Sequence, residues 1–322
     1  MYKIIFNPES RSNRGISVWD TVEQILYDKE IHYLLYRTTH AGHAEELVRD
    51  ITSDGLEHTF IVIGGDGTLN EVLNGISHPD LVTVGLIPSG SGNDFARAMN
   101  IPLDPAEALE LILSTDKPTP INYGDVFLPN SQRRFLISCG CGFDSDVCKD
   151  AQISPFKPIL NRLHMGKLIY TLIALKKLIR KSVFSAAMKL DGTVVSQMDN
   201  IFFLTAMNTI YEGGGYMFCP DATPTDDKLD FLMVNNLPRR QIIPLLPKAK
   251  KGRHIGHKGI DIKPVTSVSL KFSKSVYLHT DGEVFGKYDH VKISCGREHL
   301  RFCLGDTQST DDYNKKAEKD NE

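Results

Sequence analysis

The sequence predicts an α/β N-terminal domain on a parallel sheet, followed by a C-terminal antiparallel β-sandwich. Three observations lead there. Through residue 122, short apolar runs alternate with amphipathic helical patterns, as in a parallel sheet covered on both faces. From Tyr123 to about residue 305, strand-like runs follow one another, many separated by turn dipeptides such as Asp191-Gly192 and Asp281-Gly282, which suits an antiparallel sandwich or barrel. The length of 322 residues accommodates about two domains.

In the first unit, Lys3–Asn7 reads as a strand, Val18–Lys29 as a helix, Ile31–Arg37 as a strand and Ala44–Ile51 as a helix. Thr59–Ile63 and Leu81–Ile87 are strands rich in β-branched residues. Each runs into a glycine-rich turn and then a helix, Leu69–Ile76 and Asn93–Asn100 respectively, and Pro105–Ser114 closes the series. In the second unit the strand-like runs include Asp125–Leu128, Arg134–Cys139, Val183–Leu190, Thr193–Gln197, Ile201–Ala206, Leu229–Val234, Ser267–Phe272, Ser275–His279, Val291–Cys295 and Leu300–Leu304. One helical segment, about 158–181, interrupts them. The segment from about 290 to 305 is a candidate to pack back on the first unit. Residues 306–322 are polar and charged and are expected to be disordered.

Composition excludes several classes. With 41% hydrophobic residues and 24% charged, the chain has an ordinary globular balance and is neither fibrous nor largely disordered. Its 37 basic and 40 acidic residues give a net charge of −3, which removes any global argument for a nucleic-acid partner. Six cysteines without CxxC spacing read as reduced thiols rather than a zinc site or disulfide framework. Met1–Pro8 lacks the features of a signal peptide. The longest uncharged apolar run, Leu168–Leu175, is far short of the ~20 residues needed to span a bilayer. The expected location is cytoplasmic.

The strongest local signal is Ile61-Val-Ile-Gly-Gly-Asp-Gly-Thr-Leu-Asn-Glu-Val-Leu-Asn-Gly75. A buried strand enters a glycine turn, and Thr68 with Glu71 has capping-box spacing, which would start the helix just after the glycines. Bare N–H groups and the positive end of a helix dipole there suit a phosphate. Gly64, Gly65 and Gly67 let the chain turn and let a ligand approach the backbone. A strand–helix turn without ligand has the same appearance. The architecture recurs at Val84–Arg97, where Pro88-Ser-Gly-Ser-Gly leads into Asn93-Asp94, and two such loops can face one crevice. Neither loop is GxxxxGK[ST] or GxGxxG. Asp66 beside phosphates calls for a cation or a proton-handling role, which points to a Mg-nucleotide.

Together the two loops resemble the diacylglycerol kinase catalytic family, closest to its soluble bacterial lipid kinases, with sphingosine and ceramide kinases more distant. The likeness runs from Phe6-Asn7-Pro8 to His279-Thr-Asp-Gly-Glu-Val-Phe-Gly286. It implies an N-terminal fold like that of NAD and diacylglycerol kinases, with ATP and Mg2+ as cofactors. The reaction it implies is γ-phosphoryl transfer to a lipid hydroxyl, in the first instance diacylglycerol to phosphatidic acid. By the same resemblance Asn7, Thr38, the segment Gly64 to Thr68, Ser91 and Asn93 contact nucleotide. Asp281 takes the proton from the lipid hydroxyl, and Glu283 stands near nucleotide and metal with Asp66. Asp226 and the Lys228 carbonyl hold a structural Mg2+, although Asp227 replaces the usual glycine. Where the family has Ser-Gly after Asn-Pro-x, this chain has Ser10-Arg11, and Arg11 or Arg14 would supply charge instead.

Asp281-Gly282 is also, on residues alone, a hairpin turn; both roles can hold together. Basic-apolar segments at 156–181 and 238–258 are candidates for a peripheral contact with an anionic membrane surface, where the lipid substrate would be met. The first of them equally suits a helix packed on its own domain. A homodimer is compatible with the sequence. The alternatives are a kinase of another lipid, of sphingosine or phosphatidylglycerol type, a kinase of a soluble substrate such as NAD, or a non-catalytic nucleotide- or lipid-binding regulator.

Overall fold

The structure is a computed structural model that describes residues 1–11, 14–152 and 183–305, together with Ile173 and Leu178. The helix expected at 158–181, the basic segment 156–181 and the tail 306–322 lie outside the described residues.

The first sheet is formed by β1 (Tyr2–Phe6), β2 (Tyr33–Arg37), β3 (His58–Gly64), β4 (Val82–Pro88) and β5 (Thr119–Ile121), in the order β2-β1-β3-β4, then the far C-terminal strand Leu300–Phe302, then β5. The first four strands pair in parallel, as does the inserted strand with β4; β5 runs antiparallel to it. Side-chain alternation divides each strand between two cores. Ile4, Phe6, Ile61 and Ile63 pack with Val18, Trp19 and Val22 of α1 (Arg14–Asp28) and with Leu109 and Ile112 of α5 (Pro105–Ser114). On the other face Ile5, Phe60 and Val62 meet α2 (His43–Thr52), α3 (Asp66–Gly75) and α4 (Asp94–Ala98). Asp104 caps α5 by accepting N–H bonds from Ala106 and Glu107, with Pro105 at the first helical position.

The second sheet is antiparallel and has nine strands, β6 (Gly124–Phe127), β7 (Gln132–Phe135), β8 (Ser138–Gly142), β9 (Phe184–Leu190), β10 (Thr193–Met207), β13 (Leu229–Asn235), β14 (Ile260–Val265), β15 (Ser267–Thr280) and β16 (Glu283–Cys295), in the order β14-β13-β10-β8-β15-β16-β6-β7, with β9 bridging β10 and β15. A short hairpin, β11 (Tyr211–Glu212) with β12 (Tyr216–Met217), stands apart. The last strand, β17 (Leu300–Phe302), belongs to the first sheet. Of the segment expected to pack back, only the part from Leu300 on does so; residues up to Cys295 stay in the second sheet.

Several expected boundaries move, for physical reasons. Thr193–Gln197 and Ile201–Ala206 are one strand, and so are Ser267–Phe272 and Ser275–His279; β-bulges absorb the intervening polar residues without a turn. The expected strand Arg134–Cys139 divides at Leu136–Ile137, because the amides there bond the Asp281 carboxylate. Two helices were not expected. In α6 (Phe143–Gln152) the acidic residues Asp144, Asp146 and Asp150 blur the apolar period. In α7 (Arg239–Ala249) Pro244 and Pro247 sit inside the helix, against the usual rule. Of the apolar residues expected to face lipid in that segment, Ile242 and Leu245 are buried in a core with Phe203 and Leu232. Packing has claimed most of that face.

Candidate active site

The two glycine loops end β3 and β4, which are neighbours paired from His58↔Val82 to Gly64↔Pro88. They therefore emerge side by side at the carboxyl edge of the sheet, the usual ligand position in such folds. They also touch. A Cβ on Gly90 would lie 2.6 Å from Gly65 Cα, and one on Gly65 would lie 2.8 Å from Gly90 Cα. Glycine is required here because one backbone packs against the other. The first strand adds a third loop: the Ser10 and Ser89 hydroxyls lie 2.7 Å apart, and Asn7 Nδ2 donates to Thr68 Oγ1 at 2.8 Å.

The helix after the first loop starts at Asp66, with Gly65 at its N-cap and no side-chain cap. The expected Thr68–Glu71 capping box does not form. Thr68 receives Asn7, and the Glu71 carboxylate accepts the N–H groups of Gly42 and Ala44 at the start of α2. Asp66 is turned to the second loop, its two oxygens accepting N–H bonds from Asp94 (3.1 Å) and Phe95 (3.2 Å). The carboxylate thus occupies the N-terminus of α4, an end expected to be open to phosphate. Burial, with the Asp94 carboxylate beside it, pushes Asp66 up to about 7.

Asp281 begins the tight turn of the β15–β16 hairpin, with positive φ at both Asp281 (49°) and Gly282 (85°), as a type I′ turn requires. Its Oδ1 accepts the N–H groups of Ile137 (2.8 Å) and Ser138 (3.0 Å). Its Oδ2 accepts Leu136 N–H (3.0 Å) and Asn70 Nδ2 (2.8 Å). Burial raises its pKa while these four bonds oppose the rise. A carboxylate has about four lone-pair sites, so all of them are used, and in the resting geometry none is left for a substrate hydroxyl. In this geometry Asp281 is an anchor, tying Asn70 of the first unit to the β7–β8 link of the second. Asn70 and Asn74, one helical turn apart, also bond the Arg134 backbone, and Arg134 Nη1 donates to Ile76 O at 2.6 Å. A second clasp joins the Asp94 carboxylate to Gly214 N–H (2.6 Å) and Arg97 (2.5 Å).

A cleft of about 550 Å³ lies between the units. Asn7, Thr38, Gly65, Asp66, Gly67, Thr68 and Ser91 line it from the first unit, Asp281 and Glu283 from the second. Glu283 reaches across: a Cβ on Gly67 would be 3.6 Å from its Oε1. Two expected nucleotide contacts are not among the lining residues. Gly64 is held in the strand by Thr68, 2.5 Å from any added Cβ, and Asn93, at φ 53°, turns its side chain over Gly90. Asp226 and Lys228 also lie outside the cleft. Asp226 Oδ1 accepts the N–H of Lys228, whose carbonyl accepts Asn122 Nδ2. Arg11 does line the cleft, at φ 45°. It keeps the left-handed turn that a glycine would occupy and adds a positive charge.

The other end of the cleft is apolar, with Phe143, Val147, Phe218 and Leu246. Beneath it lies a cluster that sequence reasoning missed. His279 Nε2 is 2.9 Å from Asp144 Oδ2 and 3.4 Å from Glu212 Oε1. Burial alone would lower the ring's pKa, but the two carboxylates carry it up to about 9. Burial likewise pushes Glu212 up to about 7 against the pull of His279. Gly282 N–H approaches Nδ1 at 3.3 Å, a contact that a doubly protonated ring would give up. These residues come from β15, α6 and β11, so no local motif announces them. For Asn70 and Asn74 the i, i+4 spacing was a signal.

Residues 1–126 match the family described as "Diacylglycerol kinase catalytic domain". Residues 139–300 match the "YegS C-terminal NAD kinase beta sandwich-like domain". The chain belongs to the diacylglycerol kinase-like family of lipid kinases. Among relatives of this family, YtlR of Bacillus subtilis strain 168, provisionally named a lipid kinase, is 28% identical over 289 residues, covering 88% of this chain and 93% of its own. The diacylglycerol kinase of the same strain is 28% identical over 310 residues, 92% of this chain and 96% of its own. The fold is shared with a provisionally named diacylglycerol kinase from Bacillus anthracis strain Sterne, at TM-score 0.75, 21% identity and 95% coverage of both chains. It is shared more loosely with an NAD kinase from Archaeoglobus fulgidus solved with ATP, at TM-score 0.55, 12% identity and 99% coverage of both. A diacylglycerol kinase-like enzyme is a phosphotransferase with an alcohol acceptor, here within an α/β domain joined to an antiparallel β-sandwich.

Proposed function

We propose that this enzyme transfers the γ-phosphoryl group of ATP to a lipid hydroxyl, with diacylglycerol as the acceptor that its relatives' names suggest. One observation carries the reading: a single cleft joins the interlocked glycine loops to an apolar wall, with Asp66 and Glu283 between them.

Nucleotide phosphates would lie against the amides of Gly65 to Thr68 and the second loop around Ser91, with Arg11 contributing charge. The described lining is otherwise crowded with carboxylates, Asp66, Glu71, Asp94, Asp281 and Glu283 among them. Hard oxygen donors in that number suit Mg2+, with Glu283 best placed to hold it and Asp66 reaching it only through water. When bound, Mg2+ would neutralise phosphate charge as it develops. Asp226 and the Lys228 carbonyl remain the proposed structural site. The acceptor oxygen forms a bond to the γ-phosphorus while the bond to the ADP oxygen breaks, and the hydroxyl proton passes to a carboxylate. Asp66 suits that last task better than Asp281. It accepts only two N–H bonds, so each oxygen keeps a lone pair, and a value near 7 is matched to neutral operation. Asp281 positions the hairpin that carries Glu283.

The test is phosphate transfer from labelled ATP to diacylglycerol, a sphingoid base and phosphatidylglycerol in mixed micelles, with NAD as a soluble control. Transfer to a lipid is expected. Transfer to NAD alone, or ATP binding without turnover, would remove the proposal.

A further inference from the structure

The outer face of the second sheet carries a basic groove unrelated to the cleft. Strand pairing places Val194, Lys189, Ser269, Lys292 and Phe127 in one continuous cross-strand row, running β10, β9, β15, β16, β6. The adjacent row aligns Ala187, Lys271 and His290. Alternation fixes which way they face. The residues between them, Met188, Leu270 and Val291, are buried in the sheet's core, so the lysines point outward. Together these residues line a groove of about 480 Å³.

The groove itself is basic, with one carboxylate at its edge, Asp289, whose Oδ1 lies 2.7 Å from His290 Nδ1. Lys189, Lys271, Lys292 and His290 are exposed, and no carboxylate is among the described residues lining the groove. Like charges on neighbouring strands repel, and a chain of net charge −3 has no general excess of base to place there. Apolar groups flank the row. Val194 is 70% exposed and Phe127 40%, and Phe127 leads into Leu128-Pro129 at a tight turn closed by Leu128 N–H to Ser131 O. Cations in the middle with exposed apolar side chains at the rim are the arrangement of an interfacial surface.

We propose that this groove is a docking site for the phosphate headgroups of an anionic phospholipid bilayer, with Phe127 and Val194 entering the interface. Lys189 and Lys292 stand two strand spacings apart, about 10 Å, and can neutralise adjacent headgroups while Lys271 lies diagonally between them. The groove is at the end of the β15–β16 hairpin away from the catalytic turn; Lys271 is roughly 30 Å of strand from Asp281. Docking here tethers the enzyme without using its active-site residues. The inference does not depend on which lipid is phosphorylated, and it names a surface different from both basic segments read in the sequence.

Flotation with vesicles, in the absence of nucleotide, tests it apart from the activity. The intact chain is expected to bind vesicles of phosphatidylcholine mixed with phosphatidylglycerol, weakly bind phosphatidylcholine alone, and lose binding as salt rises. Combined Lys189→Gln, Lys271→Gln and Lys292→Gln should weaken binding to the anionic vesicles roughly 100-fold, about fivefold per lysine. Activity on an acceptor dissolved in detergent micelles should not change, which also shows that the variant is folded. Phe127→Ser should reduce the binding that survives at high salt. Lys250→Gln with Lys251→Gln and Arg253→Gln, on the α7 side, should leave binding intact. Unchanged flotation of the triple variant overturns the proposal, as does equal loss on neutral vesicles. Displacement by single-stranded RNA at concentrations too low to matter for vesicles would overturn it in favour of a nucleic-acid partner.

Discussion

The two walls of the cleft are built on different principles. On the N-terminal side, the surface that would meet phosphate is mostly backbone, supplied by consecutive residues and shaped by Gly65 and Gly90 packing Cα against each other. On the C-terminal side it is made of side chains brought together from α6, β11 and the β15–β16 turn, held by charged hydrogen bonds to one another and to the β7–β8 backbone amides. A backbone cradle depends on what is missing at a few positions. A side-chain wall depends on long-range pairings, each of which can be removed singly. The cradle should therefore fail by steric intrusion, and the wall by loss of a carboxylate or an imidazole.

The sharpest way to separate the two walls is to compare their aspartates. Asp66→Asn should lower turnover by about 10²–10⁴-fold with nucleotide affinity within a few-fold, and should abolish the rise in rate expected of the intact enzyme as pH passes about 7. Asp281→Asn should lose most turnover yet keep that pH limb and keep nucleotide binding. It should also lower stability by about 2–3 kcal/mol, as expected for losing hydrogen bonds to a charged group, measured by urea unfolding. If Asp281→Asn abolishes the pH limb and Asp66→Asn keeps it, the assignment of roles is reversed.

Gly90→Ala breaks the cradle itself. Its methyl would meet Gly65 backbone at 2.6 Å, costing about 1–3 kcal/mol of stability with a rise in nucleotide KM, measured by melting and steady-state kinetics. Arg11→Gly is milder. Glycine accepts the left-handed turn at φ 45°, so folding should be unharmed, while loss of a charged contact to phosphate should raise the ATP KM roughly tenfold and leave kcat nearly unchanged.

The smallest expected effect is a slope. His279, at about 9 against its ordinary 6.5, binds its proton more tightly in the folded chain. That stabilisation is fully present below about pH 6.5 and lost as pH rises through about 9. His279→Asn should flatten the fall in melting temperature over that interval, measured across a pH series. An unchanged slope would mean that the Asp144–Glu212 pair does not hold a charged ring.

The asymmetry between the walls also decides what could be read from the sequence. The glycine loops, their flanking strands and the candidates Asp66 and Glu283 were legible because they lie in contiguous runs. Asp281 was legible as a turn residue, but its four donors come from Asn70 and from residues 136 to 138, a connection that only tertiary structure makes. Asp144, Glu212 and His279 are far apart in sequence and became a cluster only when α6, β11 and β15 converged. The division of Arg134–Cys139 and the merging of Ser267–His279 into one strand have the same origin, since local propensity says nothing about where a distant carboxylate or a bulged partner will sit. Helix α7 was hidden for the opposite reason, its prolines outvoting an apolar face that packing then claimed.

The return of Leu300–Phe302 to lie beside β4 has a consequence for biogenesis. The strand that carries the second glycine loop receives its second neighbour only once the chain has been made as far as Phe302. A nascent chain halted before Leu300 would hold both loops yet leave the β4 edge bare. The double crossing between the units, near residues 122–124 and again at 296–299, also replaces a single linker with two parallel tethers. Opening of the cleft is therefore confined to rotation about that pair of tethers, and free swivelling of the halves is forbidden.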